Sequence, residues 1–254
     1  LMMYIKKILK FLLAKKVILI LKKILINYDL RKYKKLSNKK IFSNIYKFQK
    51  WNNNNKKEFK KYNSGPGSDN GNFALEYQKQ ISEFFQTLKI KPKIADLGCG
   101  DFEIGSKLVD YSSKYYAIDI FEDLISFNKK KFSNLEVDFM VLDITTDELP
   151  YADIYIVRQV LQHLSNDSIF NFLKKIENKC KYLIITEHLP DKEIKNFKAN
   201  KDIATGPYIR LHEDSGVVLT EEPFNLKNKN RRRLFFSEAD KMDGVLDTTL
   251  LQIK

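Results

Sequence analysis

This chain of 254 residues is short of cysteine, histidine and tryptophan: it has two Cys, three His and one Trp. Cys99 and Cys180 lie far apart, so there is no disulfide framework and no cysteine pair at metal-ligand spacing, which suits a reducing, cytoplasmic setting. His163, His188 and His212 are the only imidazoles, which narrows the candidates for a general base. Long hydrophobic runs are missing as well. From Tyr4 to Ile26 the chain is apolar but punctuated by Lys6, Lys7, Lys10, Lys15, Lys16, Lys22 and Lys23, and its longest unbroken run is Val17 to Leu21. A membrane-spanning helix needs about 20 predominantly apolar residues, so none is expected. No small-residue cleavage site marks a signal peptide. Position 1 is Leu, so translation is expected to start at Met2, Met3 or an alternative codon. Acidic residues are nearly absent from residues 1–63, where 19 Lys/Arg face only Asp29 and Glu58, a balance of +17; the remainder sums to −4. A basic arm on a mildly acidic body implies that the arm meets an anionic surface, and it argues against a body that clamps nucleic acid.

The expected partition is a helical arm and linker over 1–63 and a catalytic domain over 64–254. The lysines scatter around the helix, so the arm lies on an anionic membrane surface with snorkelling lysines, or packs on the domain, a partner enzyme or a second protomer as a homodimer. Localisation is then cytoplasmic, with peripheral contact to the inner membrane face as the variant. Residues 51–63 read as a polar linker. Ser64-Gly65-Pro66-Gly67-Ser68 cannot continue a helix or a central strand. It is either a plain turn or a lid that approaches a ligand closely.

Beyond it, strand and helix patterns alternate. A helix is predicted over 74–88, then a buried strand over 93–97 running into Gly98-Cys99-Gly100. A helix follows over 102–110, a strand at 115–118 ending at Asp119, a helix over 122–131, and strands at 137–142 and 152–157. Ser165 caps a further helix, and a fifth strand covers 182–186. Residues 233–236 and 248–253 supply two edge strands. The pattern predicts an α/β fold with a doubly wound, mostly parallel seven-stranded sheet. No internal repeat is present.

Ligands of such sheets bind outside the carboxyl ends of the strands. There the chain places its glycine turn, Asp119, Asp143, Arg158 with Gln159, and Glu187 with His188. An acid about 20 residues beyond the turn is placed to accept hydrogen bonds from ribose hydroxyls, as any adenosine cofactor requires. A dinucleotide fingerprint needs a third glycine, and here Glu103 stands in its place. Asp101 and Glu103 would oppose a pyrophosphate. A phosphate-free cationic cofactor tolerates those acids, and Asp96 before the turn as well. These features favour S-adenosylmethionine (SAM) over a nicotinamide dinucleotide without eliminating the latter.

The segments IADLGCGD (94–101), YYAIDI (115–120), VLDI (141–144) and ADIYIVRQVLQHLSN (152–166) together resemble class I SAM-dependent methyltransferases, over roughly residues 74–190. More narrowly, the chain resembles bacterial methyltransferases of capsule and lipopolysaccharide synthesis. Those carry an IY…W…SGPGS stretch, matched here by Ile45, Tyr46, Trp51 and Ser64 to Ser68, and an R-[DQ]-V-L-Q-H-L-S run, matched by Arg158 to Ser165. The chain departs from that pattern with an Asn run after Trp51 and with Gln at 159. The resemblance implies a Rossmann-like fold, SAM as cofactor, and O-methylation of a sugar hydroxyl on a surface polysaccharide or its nucleotide-linked precursor. It also implies roles. Gly98, Cys99 and Gly100 lie against the methionine part with Asp96 and Arg158 nearby. Asp119 takes the ribose, Ile120 packs on adenine, Asp143 and Ile144 read the adenine amino group, and Ser64, Gly65, Gly67 and Ser68 close over the cofactor.

A hydroxyl acceptor must lose its proton, usually to His, Asp or Glu. His163 occupies the place where similar sugar O-methyltransferases carry a base, with His188 and Glu187 next in line. Asp143, Glu187 and His188 could assemble a site for a divalent cation that acidifies the hydroxyl, but nothing in the spacing demands it and no resident metal is expected. In the loop 199–226, Tyr208, Arg210 and His212 alternate, so an extended segment would turn them to one side, with Arg210 suited to a phosphate. The acceptor could equally be a phosphate or phosphoramidate precursor of a capsule decoration. An RNA methyltransferase is the rival of another class, opposed by the absence of a D/N-P-P-Y/F motif and of a Pro-Cys nucleophile. A non-catalytic partner subunit is opposed by the intact acids at 96, 119 and 143.

Overall fold

The computed structural model describes residues 17–18, 20–51, 62, 64, 72–191, 197–238 and 244–253. The described residues of helix α1 are 17–18 and 20–31, and α2 covers Asn38–Lys47. Ser37 caps α2 with a hydroxyl that accepts from Lys40 N, satisfying one of the free N–H groups of its first turn. The other helices are α3 (Asn72–Gln86), α4 (Glu122–Lys131) and α5 (Asn166–Ile176), the last capped by Ser165. The strands are β1 (Lys93–Leu97), β2 (Lys114–Asp119), β3 (Val137–Val141), β4 (Ile154–Arg158), β5 (Tyr182–Leu189), β6 (Asn230–Glu238) and β7 (Val245–Gln252).

They form one seven-stranded sheet in the order β3-β2-β1-β4-β5-β7-β6. The first five are parallel, and β7 runs antiparallel between β5 and β6. The central strands are buried on both faces, which is why they read as nearly continuous apolar runs rather than as alternations. One face stacks Ala95, Leu97, Tyr155, Val157, Leu183 and Ile185 under α2 and α5. The other stacks Ile94, Tyr115, Ala117, Ile154, Ile156 and Ile184 under α3. The switch point lies between β1 and β4, where the order reverses, and the glycine turn leaves the sheet there.

Two expectations differ from the structure. The helix predicted over 102–110 is two short 3-10 turns, Gly105–Lys107 and Val109–Tyr111. Phe102 sits at φ 60°, and a Cβ at Gly105 would lie 2.5 Å from the Phe102 ring, so the chain is too tightly wound there for an α-helix. Strand β5 does not stop at Thr186. It pairs with β7 as far as Leu189↔Val245, so Glu187 and His188 are ladder residues rather than residues past a strand end. Part of the basic N-terminal region packs on the domain, one of the alternatives expected for it. Leu30, Tyr33, Ile41, Phe42 and Ile45 belong to the main core.

Candidate active site

Leu97 ends β1, and the next residues turn sharply: Gly98 has φ 78° and Gly100 φ 57°. Both lie in the left-handed region that side chains other than hydrogen resist. Space forbids them too, since a Cβ on Gly98 would lie 2.4 Å from Val160 Cγ2 and one on Gly100 2.5 Å from Ser64 Oγ. The N–H groups of the turn are all engaged. Gly98 and Cys99 donate to Ile118 O, Gly100 to Asp119 Oδ2 at 3.2 Å, and Asp101 to Ser64 Oγ at 2.8 Å. Asn128 donates to Gly100 O at 2.7 Å and fixes the turn from below.

Asp119 closes β2. Its Oδ1 accepts from Phe121 N at 3.0 Å and its Oδ2 from Gly100 N, which leaves accepting capacity on both oxygens. Burial pushes its carboxyl up to about 6, partly offset by the backbone N–H groups it accepts from. Asp143 is folded into an Asx turn, accepting from Thr145 N and Oγ1.

These groups surround a solvent-open cavity. Ser64, Gly98, Cys99, Gly100, Asp119, Ile120, Asp143, Ile144, Arg158 and His163 all line it. Asp96 lies behind the turn in a smaller adjoining cavity that shares Gly98, Cys99 and Arg158. Its carboxylate accepts from Tyr115 OH at 3.2 Å, and burial raises it to about 6 against the pull of Arg158. The predicted Gly65, Gly67 and Ser68 lie outside the described residues.

Helix α2 contributes more than the sequence reading assigned to it. Asn38, Phe42, Tyr46 and Trp51 also line the cavity. Tyr46 stacks on Phe121 with centroids 5.1 Å apart, and Trp51 rests against the His163 ring at 4.9 Å while donating to Pro207 O. Their signal was present in the IY…W stretch, whose spacing places Tyr46 and Trp51 upstream of Ser64. Gln159 was missed as a binding group. It has φ 56°, its N donates to Thr186 O, and its side-chain Nε2 is buried with no hydrogen-bond partner.

His163 ends a 3-10 turn, Leu161–His163. Its Nδ1 lies 3.1 Å from Tyr208 O, and a carbonyl only accepts, so Nδ1 carries the proton and Nε2 the lone pair. Burial pushes this imidazole down to about 4, so it is neutral near pH 7. Glu187 and His188 do not reach the cavity, because both are locked into β5. Glu187 Oε1 accepts from Leu161 N at 3.2 Å, and burial raises its carboxyl to about 8. His188 is 2% exposed. Among the described residues no three His, Cys, Asp or Glu side chains converge on one point, and Asp143, Glu187 and His188 do not meet. Tyr208, Arg210 and His212 do not all share a side either: 210–213 is a 3-10 turn, and the Tyr208 and His212 rings meet at 6.4 Å while Arg210 turns inward. Arg210 is no surface anion ligand. It is 1% exposed and donates to the carbonyls of Lys201, Leu161 and Leu164 and to Asn166 Oδ1.

The donor set discriminates between cofactors. A pyrophosphate needs free backbone N–H groups at a helix N-terminus. Here those groups are already bonded, no α-helix follows the turn, and Asp96, Asp101 and Glu103 are acidic. A phosphate-free adenosine cofactor with a cationic amino-acid tail fits the same surroundings. The acids suit its positive charges, and the unpartnered Gln159 amide offers a donor to its carboxylate. Such a cradle, at the carboxyl edge of a sheet ordered 3-2-1-4-5-7-6, defines the class I SAM-dependent methyltransferases, and SAM is the cofactor of this chain.

Residues 94–182 match a protein family described as a methyltransferase domain. The N-methyltransferase NodS from Bradyrhizobium japonicum WM9, solved with S-adenosyl-L-homocysteine (SAH), is 12% identical; the alignment covers 83% of this chain and all (100%) of NodS, with a TM-score of 0.57. A SAM-dependent methyltransferase from Leishmania major is 13% identical over 70% of this chain and 72% of its own, with a TM-score of 0.51. The bifunctional kinase-methyltransferase WbdD is 16% identical over 73% of this chain and 40% of its own, also with a TM-score of 0.51. At these identities the likeness is one of fold. No curated protein sequence matches the chain.

Proposed function

We propose that this chain methylates an oxygen, a sugar hydroxyl of a bacterial surface polysaccharide or of its nucleotide-linked precursor. The observation that carries this reading is His163: a neutral imidazole on the cavity wall, its Nδ1–H committed to Tyr208 O and its Nε2, which lies 3.5 Å from Gln162 Nε2, holding the lone pair that would accept a proton. SAM supplies a methyl group on a positively charged sulfur. Asp119 would hold the ribose hydroxyls, Ile120 and Ile144 would flank the adenine, and Asp143 would read its amino group. Gly98 and Gly100 would pass the amino-acid tail, with Gln159 donating to its carboxylate. Trp51 and Tyr46 line the cavity, Tyr46 bonded to the Ser64 hydroxyl beside the glycine turn, and would shield the reacting centre from water. Nε2 of His163 takes the proton that the acceptor hydroxyl gives up as the new C–O bond forms. The acceptor's sugar character rests on the IY…W…SGPGS and RQVLQHLS stretches.

A phosphate-bearing acceptor is the second reading, favoured by Arg31, Lys34, Ser165, Ser168 and Thr205 in a groove beside the cavity that shares Asn38 with it, against the two acids Asp202 and Glu213 that line the same groove. The test is SAH release from SAM over a panel of nucleotide sugars, lipid-linked saccharides, phosphosugars and amine acceptors. Turnover with hydroxyl sugars supports the proposal. Turnover confined to phosphorylated acceptors whose phosphate is methylated supports the second reading, and turnover confined to amines contradicts both.

A further inference from the structure

Helix α1 is apolar on two sides, and only one side is covered. Ile26, Leu30 and the following Tyr33 pack on the core. The opposite face carries Val17, Ile18, Ile20, Leu21, Ile24, Leu25 and Tyr28, each 50–67% exposed. At 100° per residue these seven occupy one continuous arc of less than half a turn. Single exposed apolar side chains are ordinary, but a contiguous patch of seven marks an interaction surface. A helix that is apolar all round is one whose second face is also covered.

Charge selects the cover. Lys22 flanks the apolar arc, and Arg31, Lys32, Lys34 and Lys35 gather exposed at its C-terminal end. The one acid of the helix, Asp29, is turned inward, where Tyr208 OH donates to it at 3.1 Å and Lys32 pairs with it at 3.0 Å. Lys23 is also turned inward, toward Glu213 and Asp214. The outward face is thus apolar with a purely cationic border. A second copy would set one +17 N-terminal region against another, whereas an anionic bilayer gains from both the apolar arc and its border. Among the described residues no helix is long and apolar enough to cross a membrane, so the contact is parallel to the surface.

We infer that α1 docks on the headgroup region of an anionic lipid bilayer, burying the Leu21–Leu25–Tyr28 face between acyl chains. The inference does not depend on the acceptor or on the cofactor. Docking would also bring the groove lined by Arg31 and Lys34 to the lipid surface.

The test is co-sedimentation of the full chain with phosphatidylcholine vesicles and with vesicles containing phosphatidylglycerol. It is run at low and high salt, with size measured in parallel by sedimentation velocity. Binding to the anionic vesicles alone, weakened at high salt and reduced at least about tenfold by Leu21→Glu with Leu25→Glu, is expected. Both side chains are more than half exposed, so the variant keeps its fold, checked by unchanged SAH affinity and circular dichroism. No binding to either vesicle, equal binding to both, or binding untouched by the substitutions overturns the inference. So does a dimer that the same substitutions dissociate.

Discussion

Replacing Arg210 with Met should destabilise the protein by about 4 kcal/mol. The guanidinium is 1% exposed and donates four hydrogen bonds: to Lys201 O at 3.1 Å, Leu161 O at 2.9 Å, Leu164 O at 2.7 Å and Asn166 Oδ1 at 2.9 Å. Met preserves most of the stem volume, so packing loss is small. The cost lies in the partners left behind. Buried acceptors stripped of their donor cost about 1–3 kcal/mol each, and losing one partner of a buried charge cluster costs about 3–5 kcal/mol in all. Leu161 and Leu164 bracket the turn that carries His163, and Glu187 holds the same turn from the Leu161 N–H side. The assay is urea denaturation. With a slope near 3 kcal/mol/M for a chain of this size, the midpoint should fall by about 1.3 M. Arg210→Lys should recover less than half of that, because one ammonium cannot reproduce a planar fork spread over four acceptors. A loss below about 1 kcal/mol in the Met variant would refute the view that this guanidinium clamps the turn.

Three further outcomes are expected. Glu187→Gln should flatten the alkaline side of the stability profile. The native carboxyl keeps its proton up to about 8 while the unfolded one loses it near 4.5, so wild-type stability falls as pH rises across that window, and the amide removes the fall; denaturation midpoints at pH 5, 7 and 9 check this. His163→Ala should lower turnover by about a hundredfold or more and leave SAH affinity within about threefold, as a proton acceptor outside the cofactor cradle requires; a parallel loss of both would assign His163 a structural role. Asp119→Ala should weaken SAH binding by about ten- to a hundredfold through loss of the ribose acceptor, and unchanged affinity in calorimetry would remove Asp119 from the site.

Much of this fold was legible because its central strands are written in local code. Ile94 to Leu97, apolar but for Asp96, and Ile154 to Val157 are short buried runs leading into the strand-end site, and the glycine turn is pinned by two positive φ angles that side chains resist. What stayed hidden depends on tertiary partners. The lysines around α2 obscured an apolar face made by Ile41, Phe42, Ile45 and Tyr46, so a cavity wall read as part of an arm. Glu187 and His188 look like residues past a strand end until β7 is paired against them. Arg210 looks like a surface anion ligand until its four acceptors, three of them on other segments, are brought around it. The short 3-10 turns after the glycine turn follow from the crowding of Gly105 against Phe102 and Asp96, a contact that no helical periodicity encodes.

The central claim, a phosphate-free adenosine cofactor in a cradle whose backbone N–H groups are already spent, is tested most directly by isothermal titration of the full chain with SAH and, separately, with NADH. The expected result is saturable SAH binding at one site per chain, on the order of micromolar, with no heat from NADH. NADH binding at the same site, or no response to SAH, would contradict the account.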